Sequence, residues 1–176
     1  MAISTAKPTP VTKETHDVIP VAIGIDRKDR KRLAELLGLA LADTYVLYAK
    51  IQGFHWNVRG PMFFAIHKMT EGQYEDLAQS VDELAERIRA IGFLAPTGLA
   101  QFLSSSRVTD ATGNPEASAM LESLVKDHQT VARSMRDAVE EADRVNDVFS
   151  ADMLTARIGR HEQFAWMLRS LADKDA

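Results

Sequence analysis

Four long segments of the chain carry apolar residues at every third or fourth position, and this periodicity strongly limits the possible folds. Such spacing predicts amphipathic helices, and no stretch alternates with the period of a strand. The predicted helices begin near Asp26, Pro61, Asn114-Pro115 and Ser150, with Pro61 in the first turn of the second helix and Ser150 as the cap of the fourth. The connection between the second and third helices is long, and "FLAPTGLAQFLSSS" allows one or two helical turns after Thr97. The pattern therefore predicts an all-α four-helix bundle.

The composition fits one domain and limits the chemistry. With 176 residues, 45% of them hydrophobic, the chain can bury one sizeable core. Residues 1–24 are rich in Thr and Pro without periodicity, so we expect an extended or disordered tail before a bundle over residues 25–176. Because the chain has no cysteine, any metal must be held by nitrogen and oxygen ligands. We find no secretory signal or membrane-length apolar run, so a cytoplasmic location is the default expectation.

The stretch "HWNVRGPMFFAIH", residues 55–67, combines two histidines with a Gly-Pro break, and acidic residues follow along the second predicted helix. At the helical rotation of about 100° per residue, His67, Glu71, Asp82 and Glu86 share one side of this helix. His67 with Glu71, and Asp82 with Glu86, are i,i+4 pairs whose side chains can converge on one ion. His55, at the end of the first helix, can reach across to His67. Imidazoles combined with carboxylates suit a transition metal such as iron.

These candidate ligands cannot all meet within one chain. Glu71 and Asp82 are separated by roughly 16 Å along the helix axis. A second copy of the helix, packed antiparallel across a two-fold axis near residues 76 and 77, would bring Glu71 of one subunit opposite Asp82 of the other. We therefore expect two equivalent sites at a dimer interface, each using His55, His67 and Glu71 from one chain with Asp82 and Glu86 from its partner.

Each of these residues alone also fits an ordinary structural role. Charged residues on an exposed helix face are usually only solvated, and a histidine beside aromatic residues is more often a packing residue than a ligand. It is their joint spacing that favours a metal site. A purely structural bundle without metal is the competing interpretation, and His16, His128 and His161 are assigned only surface or packing roles.

The segment "FHWNVRGPMFFAIHKMTEGQYEDLAQSVDELAERI" closely resembles the signature of Dps-like mini-ferritins (DNA protection during starvation), and "ADMLTARIGRHEQFAWMLRSL" resembles their last helix. The resemblance covers about residues 26–172. It implies a ferritin-like four-helix bundle with a short helix in the long connection between helices two and three, assembled as a hollow dodecamer. It also implies ferroxidase sites between subunits that oxidise Fe(II), preferably with hydrogen peroxide, and storage of ferric mineral.

The family's ferroxidase site falls on the same five residues that the spacing selected, namely His55, His67, Glu71, Asp82 and Glu86. The resemblance puts Trp56 beside these ligands, where packing at an interface is the alternative role. It also implies an acidic iron path near a three-fold pore, with Asp152 as the main candidate and Asp147 and Glu162 as weaker ones. For Asp152, a solvated position near a helix start is the alternative.

The charge distribution gives little support to DNA binding. The formal net charge is −4, and the two lysines of residues 1–25 are offset by two acidic residues. The segment "DRKDRKR", residues 26–32, is the one basic cluster. We expect an iron-storing ferroxidase that protects DNA from oxidative damage. The alternative is a nucleoid-associated shell that coats DNA and has little ferroxidase activity.

Overall fold

The computed structural model describes residues 20–173, and over this range the chain forms five α-helices and no strand. The helices are α1 (Arg27–Asn57), α2 (Phe63–Ala90), α3 (Leu99–Ser105), α4 (Ala117–Arg144) and α5 (Val148–Ala172). The predicted all-α bundle with a short helix in its long connection is confirmed. The predicted N-terminal tail lies outside the described residues as far as residue 19. Within residues 20–173, no helix has both the length and the apolar character needed to cross a membrane.

The turn between α1 and α2 brings the two histidine-bearing helix ends together. At the end of α1, the amide of Val58 donates to the carbonyl of Phe54 at 2.9 Å. Gly60 follows with φ +102°, a conformation that glycine adopts without steric cost. Its carbonyl accepts from the amide of Phe63 at 3.0 Å, where α2 begins. Pro61 therefore lies in the turn, and the prediction that it occupies the first turn of α2 is wrong by two residues.

Helix α1 lies at the centre of the bundle. It packs against α2, α3 and α4, while α4 packs along α5. The side chains that fill the core between these helices are at most 1% exposed and include Leu37, Leu47, Leu77, Leu84, Leu124 and Met135. Burying one such side chain stabilises the fold by roughly 1.5–3 kcal/mol. Two antiparallel helix pairs joined by one long crossover are thus held by a single apolar core.

Buried polar side chains of α1 hold the long crossover against the bundle. The carboxylate of Asp43 accepts a hydrogen bond from the backbone amide of Arg107 at 2.5 Å. Further along α1, Lys50 donates to the carbonyl of Thr109 at 3.0 Å and forms an ion pair with Asp127 at 2.7 Å. Because buried polar groups cost free energy unless they are paired, these bonds fix the path of the segment between α3 and α4.

Helix α5 begins at Val148, and Asp147 is its N-cap. The carboxylate of Asp147 accepts from the amide of Ser150 at 3.1 Å and from the guanidinium of Arg87 at 2.6 Å. Burial alone would raise the pKa of Asp147, but the hydrogen bonds from Arg87 and Ser150 outweigh it and hold the pKa below its usual value. The predicted cap at Ser150 is wrong, because Ser150 lies in the first turn and donates to the true cap.

A polar cluster is buried where α2, α4 and α5 meet. His128 of α4 and His161 of α5 have no exposed surface, and their Nδ1 atoms lie 2.9 Å apart. The side-chain oxygen of Gln73 on α2 lies 3.5 Å from Nε2 of His128. Burial, with a smaller effect of the Arg157 charge, lowers the pKa of His128 to about 3. Burial also lowers the pKa of His161 well below its usual value, so both imidazoles are neutral near pH 7.

We predict that the free energy of unfolding falls as the pH drops below about 6.5, the usual pKa of histidine. Below that pH the unfolded chain binds protons that the folded chain excludes from His128 and His161, and for His128 this continues down to its folded pKa of about 3. Each excluded proton costs up to about 1.4 kcal/mol per pH unit.

Denaturant unfolding at fixed protein concentration, from about pH 8 to about pH 5, measures this slope. The slope should persist in a His55→Gln/His67→Gln variant, which removes the other two histidines of the described range. An unfolding free energy that stays constant down to about pH 5 would contradict the neutral buried pair.

Candidate metal centre

His55 and His67 bond to each other's backbone across the turn between α1 and α2. Nδ1 of His55 lies 2.9 Å from the carbonyl oxygen of His67, and Nδ1 of His67 lies 3.0 Å from the carbonyl oxygen of His55. The two rings are stacked, with centroids 3.8 Å apart and planes inclined by 18°. This reciprocal pair locks the end of α1 to the first turns of α2.

The reciprocal bonds also fix the chemistry of both rings. A carbonyl oxygen can only accept a hydrogen bond, so each Nδ1 must carry the proton that it donates. In the neutral imidazole, the remaining nitrogen, Nε2, then has a free lone pair. A ligating histidine commonly donates its other ring nitrogen to a carbonyl in this way, which sets both its tautomer and its orientation. The Nε2 atoms of His55 and His67 are therefore available as two adjacent nitrogen ligands.

Aromatic side chains surround the histidine pair. The ring of Phe63 stacks on His67 at 5.0 Å, and Tyr74 meets His55 edge-on at 5.1 Å. His55 itself is only 6% exposed. Trp56, which the resemblance puts beside the ligands, is 67% exposed and thus lies on the surface of this protomer. Phe63 and Tyr74 thus pack against the two imidazole rings, whereas the surface at Trp56 is exposed in this protomer.

Glu71 lies one turn after His67 and supplies the first carboxylate. Its Oε2 atom accepts from the ammonium group of Lys68 at 2.5 Å. This hydrogen bond lowers the pKa of Glu71, and the histidines make a smaller contribution in the same direction. Sequence reasoning missed Lys68, although its i,i+3 spacing from Glu71 is a recognisable ion-pair signal. The carboxylate is thus ionised and ready to bind a cation.

Asp82 and Glu86 lie further along α2, on its exposed surface. Within residues 20–173, neither carboxylate has a hydrogen-bond or ion-pair partner in the protomer. Over the same range, no three or more His, Asp or Glu side chains of one protomer come close enough to hold a metal ion. One protomer therefore does not gather the five candidate ligands: His55 and His67 lie side by side, Glu71 is paired with Lys68, and Asp82 and Glu86 lie further along α2.

The three candidate pore residues have different environments. Asp152 lines a groove of about 500 Å³ between α2 and α5, together with Glu83 and Glu86. Sequence reasoning did not select Glu83, because it does not lie on the side of α2 that carries His67, Glu71, Asp82 and Glu86. Asp147 is 4% exposed and is bound to Arg87, so it acts as a helix cap. Glu162 forms an ion pair with Arg136 of α4. Of the three, Asp152 alone shares a groove with a candidate metal ligand.

The basic cluster of residues 26–32 is largely engaged within the protein. Arg30 is buried and donates to three backbone carbonyls, one of them that of Ile91 at 2.6 Å. Lys31 and Arg32 both lie within 4 Å of the carboxylate of Glu35. Arg30 thus stabilises the start of α1, whereas Lys31 and Arg32 share one carboxylate and remain more than half exposed.

Comparison with known proteins shows the family of the chain. A family profile for the ferritin-like domain matches residues 34–176. A DNA protection during starvation protein from Brevibacillus brevis is 36% identical over 141 residues, which cover 80% of this chain and 95% of that protein.

Solved structures show the same fold. Dps from Staphylococcus aureus is 32% identical, with a TM-score of 0.79 over 85% of this chain and 98% of that chain. A DPS protein from Vibrio cholerae O1, described as a member of a broad superfamily of ferritin-like diiron-carboxylate proteins, is 26% identical, with a TM-score of 0.81 over 88% of this chain and all of that chain. The chain belongs to the ferritin-like family, as a Dps-like mini-ferritin.

Proposed function

We propose that this protein oxidises Fe(II) with hydrogen peroxide at sites shared between subunits and stores the ferric product inside a dodecameric shell. The observation that carries the proposal is the reciprocal bonding of His55 and His67, which leaves two stacked imidazoles with free Nε2 lone pairs. Carboxylates on the same helix complete a nitrogen and oxygen donor set suited to iron. Membership in a family that includes a described diiron-carboxylate protein supports iron as the substrate.

The active unit is a dimer in which two α2 helices pack antiparallel. Each site takes His55, His67 and Glu71 from one chain and Asp82 and Glu86 from the other. Support comes from the carboxylates of Asp82 and Glu86, which have no partner within the described part of one protomer. Apolar side chains near the histidine end support an interface as well, since Trp56 is 67% exposed and Phe64 is 71% exposed.

The reaction removes two harmful reagents together. Two Fe(II) ions each give one electron to a hydrogen peroxide molecule, whose O–O bond breaks to form two hydroxide ions. The imidazoles of His55 and His67 hold the substrate ion in a fixed direction, because their Nδ1 atoms are held by carbonyls. The carboxylates favour the ferric product over Fe(II), since hard oxygen anions stabilise the higher charge.

Iron reaches the site along the acidic groove between α2 and α5. Asp152 stands on the α5 side of this groove, and Glu83 and Glu86 stand on its α2 side. These three carboxylates, on the two sides of the groove, concentrate divalent cations near the carboxylate end of the site. Asp147 and Glu162 take no part in this route, because each is committed to an arginine.

Protection of DNA follows from the removal of Fe(II) and peroxide, which together generate hydroxyl radicals. A DNA-coating role is less favoured, because Arg30 of the basic cluster is buried against backbone carbonyls, and Lys31 and Arg32 share the carboxylate of Glu35. The net charge of −4 points in the same direction.

We predict that a His67→Ala/Asp82→Ala variant loses the rapid rise in ferric absorbance after Fe(II) and hydrogen peroxide are mixed. The variant removes a ligand from each of the two separate groups, so the initial rate should fall by at least about tenfold. Stopped-flow absorbance measures this rate.

A Glu122→Ala/Asp137→Ala variant provides the control, since it removes two exposed carboxylates from α4 and should keep the initial rate. Sedimentation must show that both variants retain a mass near twelve times the 19.5 kDa of one chain. An unchanged rate in the intact His67→Ala/Asp82→Ala assembly would overturn the proposed function.

We predict that Asp152→Asn mainly affects the rate of iron oxidation, whereas Asp147→Asn mainly affects the stability of the fold. Asp152→Asn removes a charge from the groove and should slow iron oxidation at low Fe(II) concentration, with little effect on stability. Asp147→Asn leaves Arg87 without its buried partner and should lower the free energy of unfolding by about 3–5 kcal/mol. Oxidation rates and denaturant unfolding of both variants test this, and the reverse pattern would assign the iron path to Asp147.

A further inference from the structure

A second cavity lies between α4 and α5, apart from the candidate metal centre. Its volume is about 380 Å³, and its wall includes Arg133 and Arg136 of α4 with Glu162 and Arg169 of α5. His161 lines the same cavity. The small side chains of Ala132 and Ala165 leave the space between the two helices open.

The charge around this cavity is strongly positive. Arg136 is paired with Glu162. Arg133 donates only to the neutral hydroxyl of Thr130, at 2.9 Å, so its charge is not balanced. Among the described residues, Arg169 has no hydrogen-bond or ion-pair partner. Three guanidinium groups therefore face one carboxylate, which excludes a metal cation and favours an anion.

His161, which lines this cavity, has a buried ring nitrogen without a hydrogen-bond partner in the part of the chain that the structure describes. Nε2 of His161 has no hydrogen-bond partner in the structure, although the residue has no exposed surface. With the side-chain oxygen of Gln73 oriented toward Nε2 of His128, at 3.5 Å, that nitrogen donates, and Nδ1 of His128 accepts from Nδ1 of His161. Nε2 of His161 is then an unprotonated lone pair. This nitrogen can only accept a hydrogen bond from a ligand, whereas the arginines can only donate hydrogen bonds to it.

We propose that this cavity binds a free monohydrogen phosphate ion. The anionic oxygens of the ion accept from Arg133 and Arg169, and its single P–OH group donates to Nε2 of His161. Since His161 has no exposed surface in the structure, this last bond requires the side chains that line the cavity to move apart. Guanidinium groups bind phosphate through paired hydrogen bonds, which gives both affinity and orientation. One ion of this class satisfies the unbalanced arginines and the orphaned nitrogen together.

The same chemistry distinguishes a free phosphate from the phosphate of a nucleic acid. A phosphodiester has substituents on two of its oxygens and no P–OH group, so it cannot donate to His161. It would also have to bring a polymer backbone between α4 and α5. The donor requirement and the recessed position therefore favour the free ion.

Isothermal titration of inorganic phosphate into the full, iron-free protein at neutral pH tests the proposal. We expect saturable binding of one phosphate per chain, weakened at least about tenfold in an Arg133→Gln/Arg169→Gln variant. An Arg32→Gln/Arg107→Gln variant has the same net charge, removes two exposed arginines elsewhere and should bind phosphate as the parent does. Absence of saturable binding, or an equal loss in both variants, would overturn the proposal.

Two competitors test the identity of the ligand. Sulfate has the same shape but no proton at neutral pH, so it should bind at least about tenfold more weakly than phosphate. Duplex DNA should not displace the bound phosphate. Equal affinity for sulfate would remove the role of His161, and displacement by DNA would assign the site to a nucleic acid. No iron is present in these measurements, so their outcome is independent of the proposed ferroxidase function.

Discussion

The rise of an α-helix sets the condition on which the proposed function depends. Along the axis of α2, the positions of Glu71 and Asp82 are separated by roughly 16 Å, which no side chain can span. One protomer therefore offers two imidazoles and one carboxylate at one end of the helix and two carboxylates further along. In the proposed function, a second α2 that runs in the opposite direction brings both groups to one ion. Under that proposal, iron oxidation requires assembly of the subunits.

Contacts to other helices hold both parts of α2 in place. At its start, the reciprocal histidine bonds tie α2 to the end of α1. Near the middle, the carboxylate of Asp76 receives Arg160 of α5 at 3.0 Å, and at the far end Arg87 binds Asp147 at 2.6 Å. Paired charges of this kind destabilise the fold when one partner is removed, because the other remains uncompensated. The candidate ligands of α2 therefore lie on a rigid helix and not on a loop.

The sequence predicted the helices and the candidate ligands because both follow from local spacing. Apolar residues at helical intervals located the four long helices, and the i,i+4 pairs on α2 selected the ligands. The remaining features depend on contacts between distant residues. The bonding of His55 and His67 to each other's carbonyls requires the geometry of the turn, and the pairing of His128 with His161 requires α4 and α5 to pack. Asp147 could be distinguished from Asp152 only when Arg87 was found beside it.

The basic segment at the start of α1 also depends on contacts that the sequence does not reveal. By composition it is the one positive cluster of the chain, but Arg30 is buried against the carbonyl of Ile91, and its neighbours pair with Glu35. A charge count cannot tell a free cation from one that is already paired. The positive surface that remains unbalanced, at Arg133 and Arg169, comes from residues far apart in the sequence, and no local motif indicates it.

The most direct measurement of the shared site uses two inactive chains. Pure His67→Ala and pure Asp82→Ala assemblies each lack a ligand in every site. If the two chains are unfolded and reassembled together, a mixed dimer contains one site with both substitutions and one complete site. Random mixing should therefore restore about one quarter of the wild-type sites and a matching share of the initial ferroxidase rate. No recovery, when mass spectrometry shows that mixed dimers have formed, would contradict a site built from two subunits.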